Sequence, residues 1–204
     1  RRTETVLKDS FGRKFEYLRL SITDVCNFKC VYCLPNGYKK CPDKEEPLHI
    51  DEIRNLITAF SEMGLWKVRL TGGEPTIRQD IVDIVQTIKS IPGIRQVALS
   101  TNGYRLKQLA LSLKKAGLDS LNVSVDSLDP NRFQQITGTS RLNDILDSIR
   151  EAVLVGFSSI KINTVLLKEL NSQDLSIYLN WVKHVPISVR FIELMRTGDN
   201  MELF

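Results

Sequence analysis

Three cysteines stand within eight residues of this chain, at Cys26, Cys30 and Cys33, and a fourth, Cys41, follows eight residues later. Thiolates at the first spacing can surround a compact multi-iron centre, and cysteine-rich loops commonly hold iron–sulfur clusters. A [4Fe–4S] cube takes four ligands, so three from one loop leave one iron open to another molecule. The start of the sequence shows no apolar signal-like stretch, and a chain this long needs no disulfides. Both points favour reduced, metal-binding cysteines.

A zinc site is the alternative interpretation, because the three loop thiolates and His49 could complete a tetrahedron. The sequence has no second Cys-x-x-Cys pair, which makes the iron–sulfur interpretation preferable. Cys41 could supply a fourth ligand, but Pro42 and the pair Lys39–Lys40 beside it are typical of a solvated turn. We therefore interpret Cys41 as a bystander.

A second motif, Thr71-Gly72-Gly73-Glu74-Pro75, follows a strand-like run. Paired glycines let a backbone approach a ligand closely, and Glu74 offers an acceptor to an ammonium group. The segments Ser100–Gly103 and Ser124–Ser127 are also polar strand ends, although a turn and helix cap explains Thr101 and Asn102 equally well. Carboxyl ends of parallel strands meet at one edge of a sheet, so these groups should lie together.

The elements that position these residues alternate along the whole chain. Segments with apolar residues every three or four positions predict helices between the strands, and Gly64, Gly93, Gly117 and Gly156 stand where four of them should stop. The strand-like runs are Tyr17–Thr23, Trp66–Thr71, Gln96–Asn102, Leu121–Ser127, Ile160–Val165 and Ser188–Glu193. This alternation predicts one α/β domain over residues 1–204, with a parallel sheet and a cysteine loop at about 24–47.

Polar and apolar residues also alternate within each strand, as in Leu121 and Val123 against Asn122 and Ser124. Helices must cover the apolar side, so the polar side faces water or a ligand. An ordinary eight-stranded barrel fills its interior with aliphatic side chains. The pattern therefore favours an incomplete (β/α)6 barrel, a partial TIM barrel, around a polar cavity. A flat sheet with one face in water is the alternative.

Five cations lie on this polar side, against a single carboxylate, Asp126. They are Arg19, Lys67, Arg69, Lys161 and Arg190. Burying cations without partners carries a large free-energy cost. We therefore predict that a polyanionic ligand occupies the cavity.

Composition limits the other possibilities. Apolar residues make up 42% and charged residues 25% of the 204 residues, which is ordinary for a folded protein. No stretch resembles a membrane span, and a net charge of +4 is too small to predict nucleic-acid binding. We expect a cytoplasmic protein without membrane or nucleic-acid partners; a mitochondrial location stays open if the source is eukaryotic.

The C-x3-C-x2-C loop, with an aromatic residue before its last cysteine, and the Gly-Gly-Glu-Pro motif resemble the radical S-adenosylmethionine enzymes. Four longer stretches are similar to one family among them, the lyases that cyclise GTP in the first step of molybdenum-cofactor biosynthesis. They are Tyr17–Phe28, Val68–Arg78, Asn122–Leu128 and Arg190–Met195. The resemblance implies the partial barrel of radical SAM type and conversion of GTP to (8S)-3′,8-cyclo-7,8-dihydroguanosine 5′-triphosphate, begun by a 5′-deoxyadenosyl radical.

The resemblance also implies roles for individual residues. Cys26, Cys30 and Cys33 would ligate a [4Fe–4S] cluster. S-adenosylmethionine would contact Tyr32, Gly73, Ser124 and Met195, with Glu74 near its amino group. GTP would contact Arg19, Arg69, Ser100 and Lys161, with Lys67 and Arg190 as further candidates. Asp126 is a speculative candidate for a later proton transfer, since the first step needs no strong base.

The family continues with three more cysteines that hold a second [4Fe–4S] cluster, and this sequence lacks them. We therefore expect a fragment or shortened relative with impaired turnover, the second cluster being present in a full-length parent only. Expected partners are GTP, an electron donor, the next enzyme of the pathway and, through an exposed apolar rim, a second copy. The alternatives are a radical enzyme acting on a peptide or RNA and a catalytically inactive or zinc-binding barrel.

Overall fold

The computed structural model describes residues 6–40, 46–168, 170–197 and 200–203. Six parallel strands form one sheet in the order of the sequence, which confirms the predicted topology. They are β1 (Tyr17–Ser21), β2 (Lys67–Thr71), β3 (Gln96–Thr101), β4 (Ser120–Ser124), β5 (Ile160–Leu166) and β6 (Ser188–Glu193). Their ends differ from the predicted ones by up to three residues.

Helices connect the strands, as parallel pairing requires. They are α1 (Ile50–Glu62), α2 (Ile81–Ser90), α3 (Leu106–Lys115), α4 (Pro130–Thr137), α5 (Leu142–Val155) and α6 (Leu175–Val182). Gly64, Gly93, Gly117 and Gly156 follow the ends of four of them, all with positive φ, as predicted. Within the described residues, no helix combines the length and apolar character that crossing a bilayer requires.

The apolar pattern predicted one helix between β4 and β5, whereas the structure has two, and the additional helix is α4. It has eight residues and buries Phe133 and Ile136, too few apolar positions to show a period. Its ends carry the signals that could have found it. Asp129 caps the first turn by accepting from the Arg132 N–H, and Gly138 ends the helix in the left-handed conformation.

The apolar side of the sheet packs under the helices. Val68, Leu70, Val97, Leu99, Leu121 and Val123 are fully buried there. The opposite side is polar, so the alternation predicted from the sequence is confirmed. Removing the apolar side from water is the main stabilising contribution, since each fully buried side chain of this size contributes about 1.5–3 kcal/mol.

The sheet curls with its polar side inward. Arg19 of β1 and Asn163 of β5 line one cavity of about 240 Å³. Neighbouring strands lie about 4.8 Å apart, so a flat sheet would separate β1 from β5 by about 19 Å. Side chains that far apart on a flat face would not share one small cavity. The incomplete barrel is therefore the better description, and the flat sheet is wrong.

Candidate functional site

The three cysteines follow β1 at the carboxyl edge of the sheet. Cys26 and Cys30 are half-buried and Cys33 is exposed. Phe28, between them, is 4% exposed and meets Tyr104 and Phe133 edge to face, with ring centres 6.3 and 6.5 Å apart. An aromatic side chain inserted into the core thus fixes the loop on the barrel.

Helix α4 holds the same loop through hydrogen bonds. The Lys29 N–H donates to the Thr137 carbonyl at 3.0 Å, and the Val31 N–H donates to the Ile136 carbonyl at 2.9 Å. The last carbonyls of a helix lack partners within the helix. Here the cysteine loop supplies two of them, so the helix missing from the sequence prediction supports the loop directly.

The thiols have pKa values that reflect a shared, poorly solvated site. Burial raises the pKa of Cys26 and of Cys30. Glu74 raises the pKa of Cys26 further and Asp126 that of Cys30, and neighbouring thiols add to both. All three cysteines line the same cavity. Metal coordination would favour the thiolate forms, so the donor set fits a group that supplies positive charge to all three.

The zinc alternative needs His49 to join the three loop thiols as a fourth ligand. In the described part of the chain, no three His, Cys, Asp or Glu side chains converge as ligands of one ion. Ligands at about 2.3 Å from one zinc would bring sulfurs within about 3.8 Å of each other. His49 precedes α1, where its N–H donates to Glu52 at 2.8 Å. Cys41 lies outside the described residues.

The glycine pair brings two backbones together. The Gly73 N–H donates to the Thr23 carbonyl at 2.7 Å. A Cβ atom would lie 2.2 Å from the Thr23 oxygen if added at Gly72, and 2.3 Å from the Val25 oxygen if added at Gly73. The sequence interpretation assigned these glycines to close approach of a ligand. The structure adds a constraint: they let the second motif dock against the start of the cysteine loop.

Glu74 is 1% exposed and is surrounded by protein donors. Its carboxylate accepts from the Thr76 N–H at 3.0 Å and hydroxyl, the Thr101 hydroxyl at 2.7 Å and the Asn102 N–H at 2.6 Å. Burial raises its pKa, and these hydrogen bonds oppose the rise. Three of these donors meet Oε1, whereas Oε2 accepts, among the described residues, only from the Asn102 N–H and keeps one acceptor position. The expected contact with an ammonium group stays a prediction.

Thr101 and Asn102 also form the turn that the alternative interpretation assigned to them. The Gly103 N–H donates to the Thr101 hydroxyl at 3.0 Å, and the Tyr104 N–H donates to the Asn102 side-chain oxygen at 3.0 Å. The same two residues therefore shape the turn after β3 and join it to Glu74. The sequence predicted the turn, whereas the hydrogen bonds to Glu74 were not predicted.

Asp126, two residues after β4, holds the cysteine loop through a hydrogen bond. Its carboxylate accepts from the Tyr32 hydroxyl at 2.7 Å and from the Val165 N–H at 2.9 Å. Burial raises the pKa of Asp126 to about 6, although both hydrogen bonds oppose the rise. Each oxygen thus has a protein donor, and the proton-transfer role remains a prediction.

A cavity of about 240 Å³ lies between the loop and the strand ends. The predicted site residues along it are Arg19, Cys26, Cys30, Tyr32, Cys33, Gly73, Glu74, Ser100, Ser124 and Asp126. The lining also includes Phe28, Thr71, Gly72, Thr101, Asn102, Thr137 and Asn163. Thr71 and Asn163 were not among the predicted site residues, although their inward strand positions could have identified them.

The other predicted residues lie outside that lining. Lys67, Arg69, Lys161 and Arg190 are on strands of the curled sheet, and Met195 is 77% exposed in the segment after β6. Asn200 joins this segment to the cysteine loop, since its side-chain amide donates to the carbonyls of Met195 at 2.9 Å and Tyr32 at 3.2 Å. No sequence pattern identified Asn200.

The five predicted cations share the inward side, with Arg19 and Arg69 paired across β1 and β2. In the described ranges, none of the five forms an ion pair with Asp or Glu. Lys67, Arg69 and Lys161 are half-buried, whereas Arg19 and Arg190 are exposed. The expectation of five buried cations is therefore wrong in extent, because Arg19 and Arg190 lie on β1 and β6, the two edge strands of the sheet.

The sequence has clear relatives. The model of the Radical SAM superfamily matches residues 20–182. Proteins named GTP 3′,8-cyclase from Mannheimia succiniciproducens and Aeromonas hydrophila are each 53% identical over 97% of this chain. A protein of the same name from Vibrio vulnificus is 52% identical over 97% of the chain. The chain spans 59% of the length of each of these relatives.

Solved structures share the fold at much lower identity. SuiB from Streptococcus suis, bound to S-adenosylmethionine, superposes with a TM-score of 0.73 at 17% identity, covering 90% of this chain and 41% of SuiB. The protein anSMEcpe with bound AdoMet gives a TM-score of 0.72 at 14% identity, covering 88% of this chain and 51% of that protein. These two similarities concern the fold alone.

Proposed function

This chain belongs to the radical SAM superfamily, and on that premise we propose that it forms the radical-generating and triphosphate-binding part of a GTP 3′,8-cyclase. The relatives with that name support the proposal through their identity over nearly the whole chain. The site supports it through one juxtaposition. The cysteine loop occupies the edge of a curled sheet whose inward side carries five cations without ion-pair partners among the described residues.

Cys26, Cys30 and Cys33 are the residues that would hold a [4Fe–4S] cluster, with S-adenosylmethionine beside it. When bound, these cofactors supply a one-electron route to a carbon-centred radical. The protein's part is to fix the loop. Phe28 packs it into the core, and the Tyr32 hydroxyl holds it to Asp126. Fixing the loop in this way would hold the bound cofactors at one position beside the cavity.

The cavity wall offers mostly neutral donors and acceptors near the cysteine loop. Ser100, Asn102, Ser124 and Asn163 line it together with Arg19. Hydroxyl and amide groups can bind ribose hydroxyls and base edges without adding a strong acid or base. We place the nucleoside of GTP at this level of the barrel, with its ribose facing the cysteine loop.

The cations are matched to the triphosphate. Arginine presents a planar fork of donors to phosphate oxygens, and lysine contributes a compact charge. Burial lowers the pKa values of Lys67 and Arg69, and repulsion from other cations on this side of the sheet lowers both further. A polyanion bound on this side of the sheet would offset that repulsion. The site should therefore favour a triphosphate over ligands of lower negative charge.

The reaction also needs a one-electron donor from outside the chain. Cys33 is the exposed member of the cysteine set, so the loop reaches the surface of the described structure. We propose that reduction takes place on this side. A complex with the next enzyme of the pathway and a homodimer belong to the same proposal, and a second [4Fe–4S] cluster belongs to a longer parent protein.

GTP binding to the anaerobically reconstituted chain tests the proposal. We expect about four iron and four sulfide per chain. Lys161→Ala and Arg69→Ala should each weaken GTP binding about 10- to 100-fold, as expected for lost charge-assisted hydrogen bonds. The matched control is Lys107→Ala, an exposed lysine at the start of α3, which should bind GTP within about twofold of wild type.

Two results would overturn the proposal in different ways. If the chain takes up iron but shows no specific GTP binding, and Lys161→Ala changes nothing, the enzyme acts on another substrate, such as a peptide or RNA. A chain that takes up no iron and shows no absorbance change with S-adenosylmethionine is an inactive barrel.

A further inference from the structure

Tyr17 opens β1 on the inward side of the sheet, directly beside Lys67 in the strand register. Its ring faces two cations. The Lys67 Nζ lies 5.4 Å from the ring centre, and the Arg69 Cζ lies 5.6 Å from it. Both distances fall within the range of attractive cation–π contacts.

This arrangement differs from the other cation–π contacts that the structure describes. Phe11, Trp66, Tyr104 and Phe157 each meet a single cation in the described residues. Tyr17 meets two that repel each other: positive charge on Arg69 is the largest contribution after burial to the lowered pKa of Lys67. The ring therefore stands where two like charges converge.

The chemical type of this contact is informative. A carboxylate between Lys67 and Arg69 would hold them more strongly, but it would repel an incoming anion. An aromatic ring attracts cations through its quadrupole and leaves their net charge intact. A ring is thus suited to a site whose cations must stay available to a negatively charged ligand.

A second observation points to a ligand at the same place. The Nε atom of Arg69 is buried and has no hydrogen-bond partner within the described structure. Buried donors in folded proteins nearly always have an acceptor, and an exception calls for an explanation. An acceptor carried by a bound ligand would supply one, after a small rotation of the guanidinium group.

We propose that Tyr17 is a positioning residue, whose ring holds Lys67 and Arg69 in the orientation that receives a polyphosphate. The inference rests on the proposed function, in which this side of the sheet binds the triphosphate of GTP. The aromatic ring of Tyr17 orients the two cations, and its hydroxyl is not required for this. Tyr17 itself need not touch the ligand, since it acts through the two cations.

Substitution of the ring tests this role with inorganic tripolyphosphate and with GTP as probes on the full chain. Tyr17→Ile keeps a strand-forming side chain but removes the ring. It should weaken binding of both probes about 5- to 50-fold, the range expected for two lost cation–π contacts. Tyr17→Phe should bind within about twofold of wild type, because it keeps the ring.

The matched control is Phe11→Ile, which removes the ring facing Arg13 at 5.5 Å, on a residue that is 84% exposed. It should leave both affinities unchanged. Thermal unfolding and circular dichroism identify any variant that fails to fold. If Tyr17→Ile fails to fold, Tyr17→Leu makes the same comparison, and loss of binding in Tyr17→Phe would by itself overturn the proposal.

Arg69→Ala separates this inference from the function on which it depends. If Arg69→Ala weakens tripolyphosphate binding but Tyr17→Ile does not, the positioning role is wrong and the triphosphate site stands. If Arg69→Ala binds both probes like wild type, the triphosphate site itself is wrong. Equal losses in Tyr17→Ile and Tyr17→Phe would assign the effect to the hydroxyl and contradict the inference.

Discussion

At the rim of the barrel, where the strands end, Glu74 accepts four hydrogen bonds and Asp126 accepts two, all from protein groups. On the wall, formed by the five inward cations, no ion pair with a carboxylate occurs in the described ranges. Both regions belong to one sheet and are separated by only a few residues along each strand. They nevertheless differ in that the rim carboxylates have protein partners, whereas the wall cations lack carboxylate partners among the described residues.

At the rim, charged groups gain their partners when the protein folds. On the wall, they gain partners only when a ligand binds. The protein's own donors satisfy the rim carboxylates through hydrogen bonds, so the loops keep their shape without a ligand. Wall cations repel each other and keep their charge available for a partner. Changes at the rim should therefore cost stability at once, whereas changes on the wall should cost affinity and leave the free protein as stable as before or more so.

The largest expected effect comes from the side chain that fixes the rim. Phe28→Ala removes a nearly buried aromatic ring between Tyr104 and Phe133. We expect the free energy of unfolding to fall by about 3–5 kcal/mol, together with weak iron retention after reconstitution. Chemical unfolding and an iron assay measure the two effects. Phe11→Ala, at an exposed ring, should change stability by about 0.5 kcal/mol or less. Equal losses in both variants would contradict the role of Phe28.

The next effect depends on pH. The pKa of Asp126 is raised to about 6, so the folded protein binds a proton there more tightly than the unfolded chain does. The resulting stabilisation is complete below about pH 4 and is lost as the pH rises through 6, up to about 3 kcal/mol in all. Unfolding curves of wild type and Asp126→Asn should therefore diverge in that window. Parallel pH profiles for the two proteins would refute this.

A smaller loss is expected for Glu74→Gln, which preserves size but replaces one acceptor oxygen with a donor. That amide would face either the Asn102 N–H or the donors of Thr76 and Thr101. A buried donor facing another donor costs about 1–3 kcal/mol. Urea unfolding measures the loss. The control is Glu62→Gln, on an exposed residue at the end of α1. An equal loss of stability there would contradict the role of the Glu74 hydrogen bonds.

The smallest effect should have the opposite sign. Lys67→Met removes one charge from the wall and should stabilise the ligand-free protein by up to about 1 kcal/mol at low salt, because repulsion from Arg69, Lys161 and Arg190 is relieved. Adding tripolyphosphate should reverse the order, since wild type gains more on binding. Thermal unfolding with and without the anion measures both effects, with Lys107→Met as control. Destabilisation of the free protein by Lys67→Met would remove the distinction between wall and rim.

Much of the wall could be predicted from the sequence, because period-two alternation in β2, β4 and β5 reports which side chains face inward. The three cysteines were equally visible, since their ligand spacing is local. The bracing of the rim was not. Tyr32 and Asp126 are 94 residues apart, and nothing near either residue specifies the other. The degree of exposure was also missed, because it depends on how far the sheet closes rather than on any one strand.

The contact between α4 and the cysteine loop links loss of the cluster to the stability of the helix end. Two loop amides complete the last turn of this short helix. If iron departs and the loop loosens, those carbonyls lose their donors and the helix end frays. Slow deuterium uptake at Gln134–Thr137 would then indicate an occupied metal site. Cluster loss could therefore be followed by a backbone measurement that does not depend on absorbance.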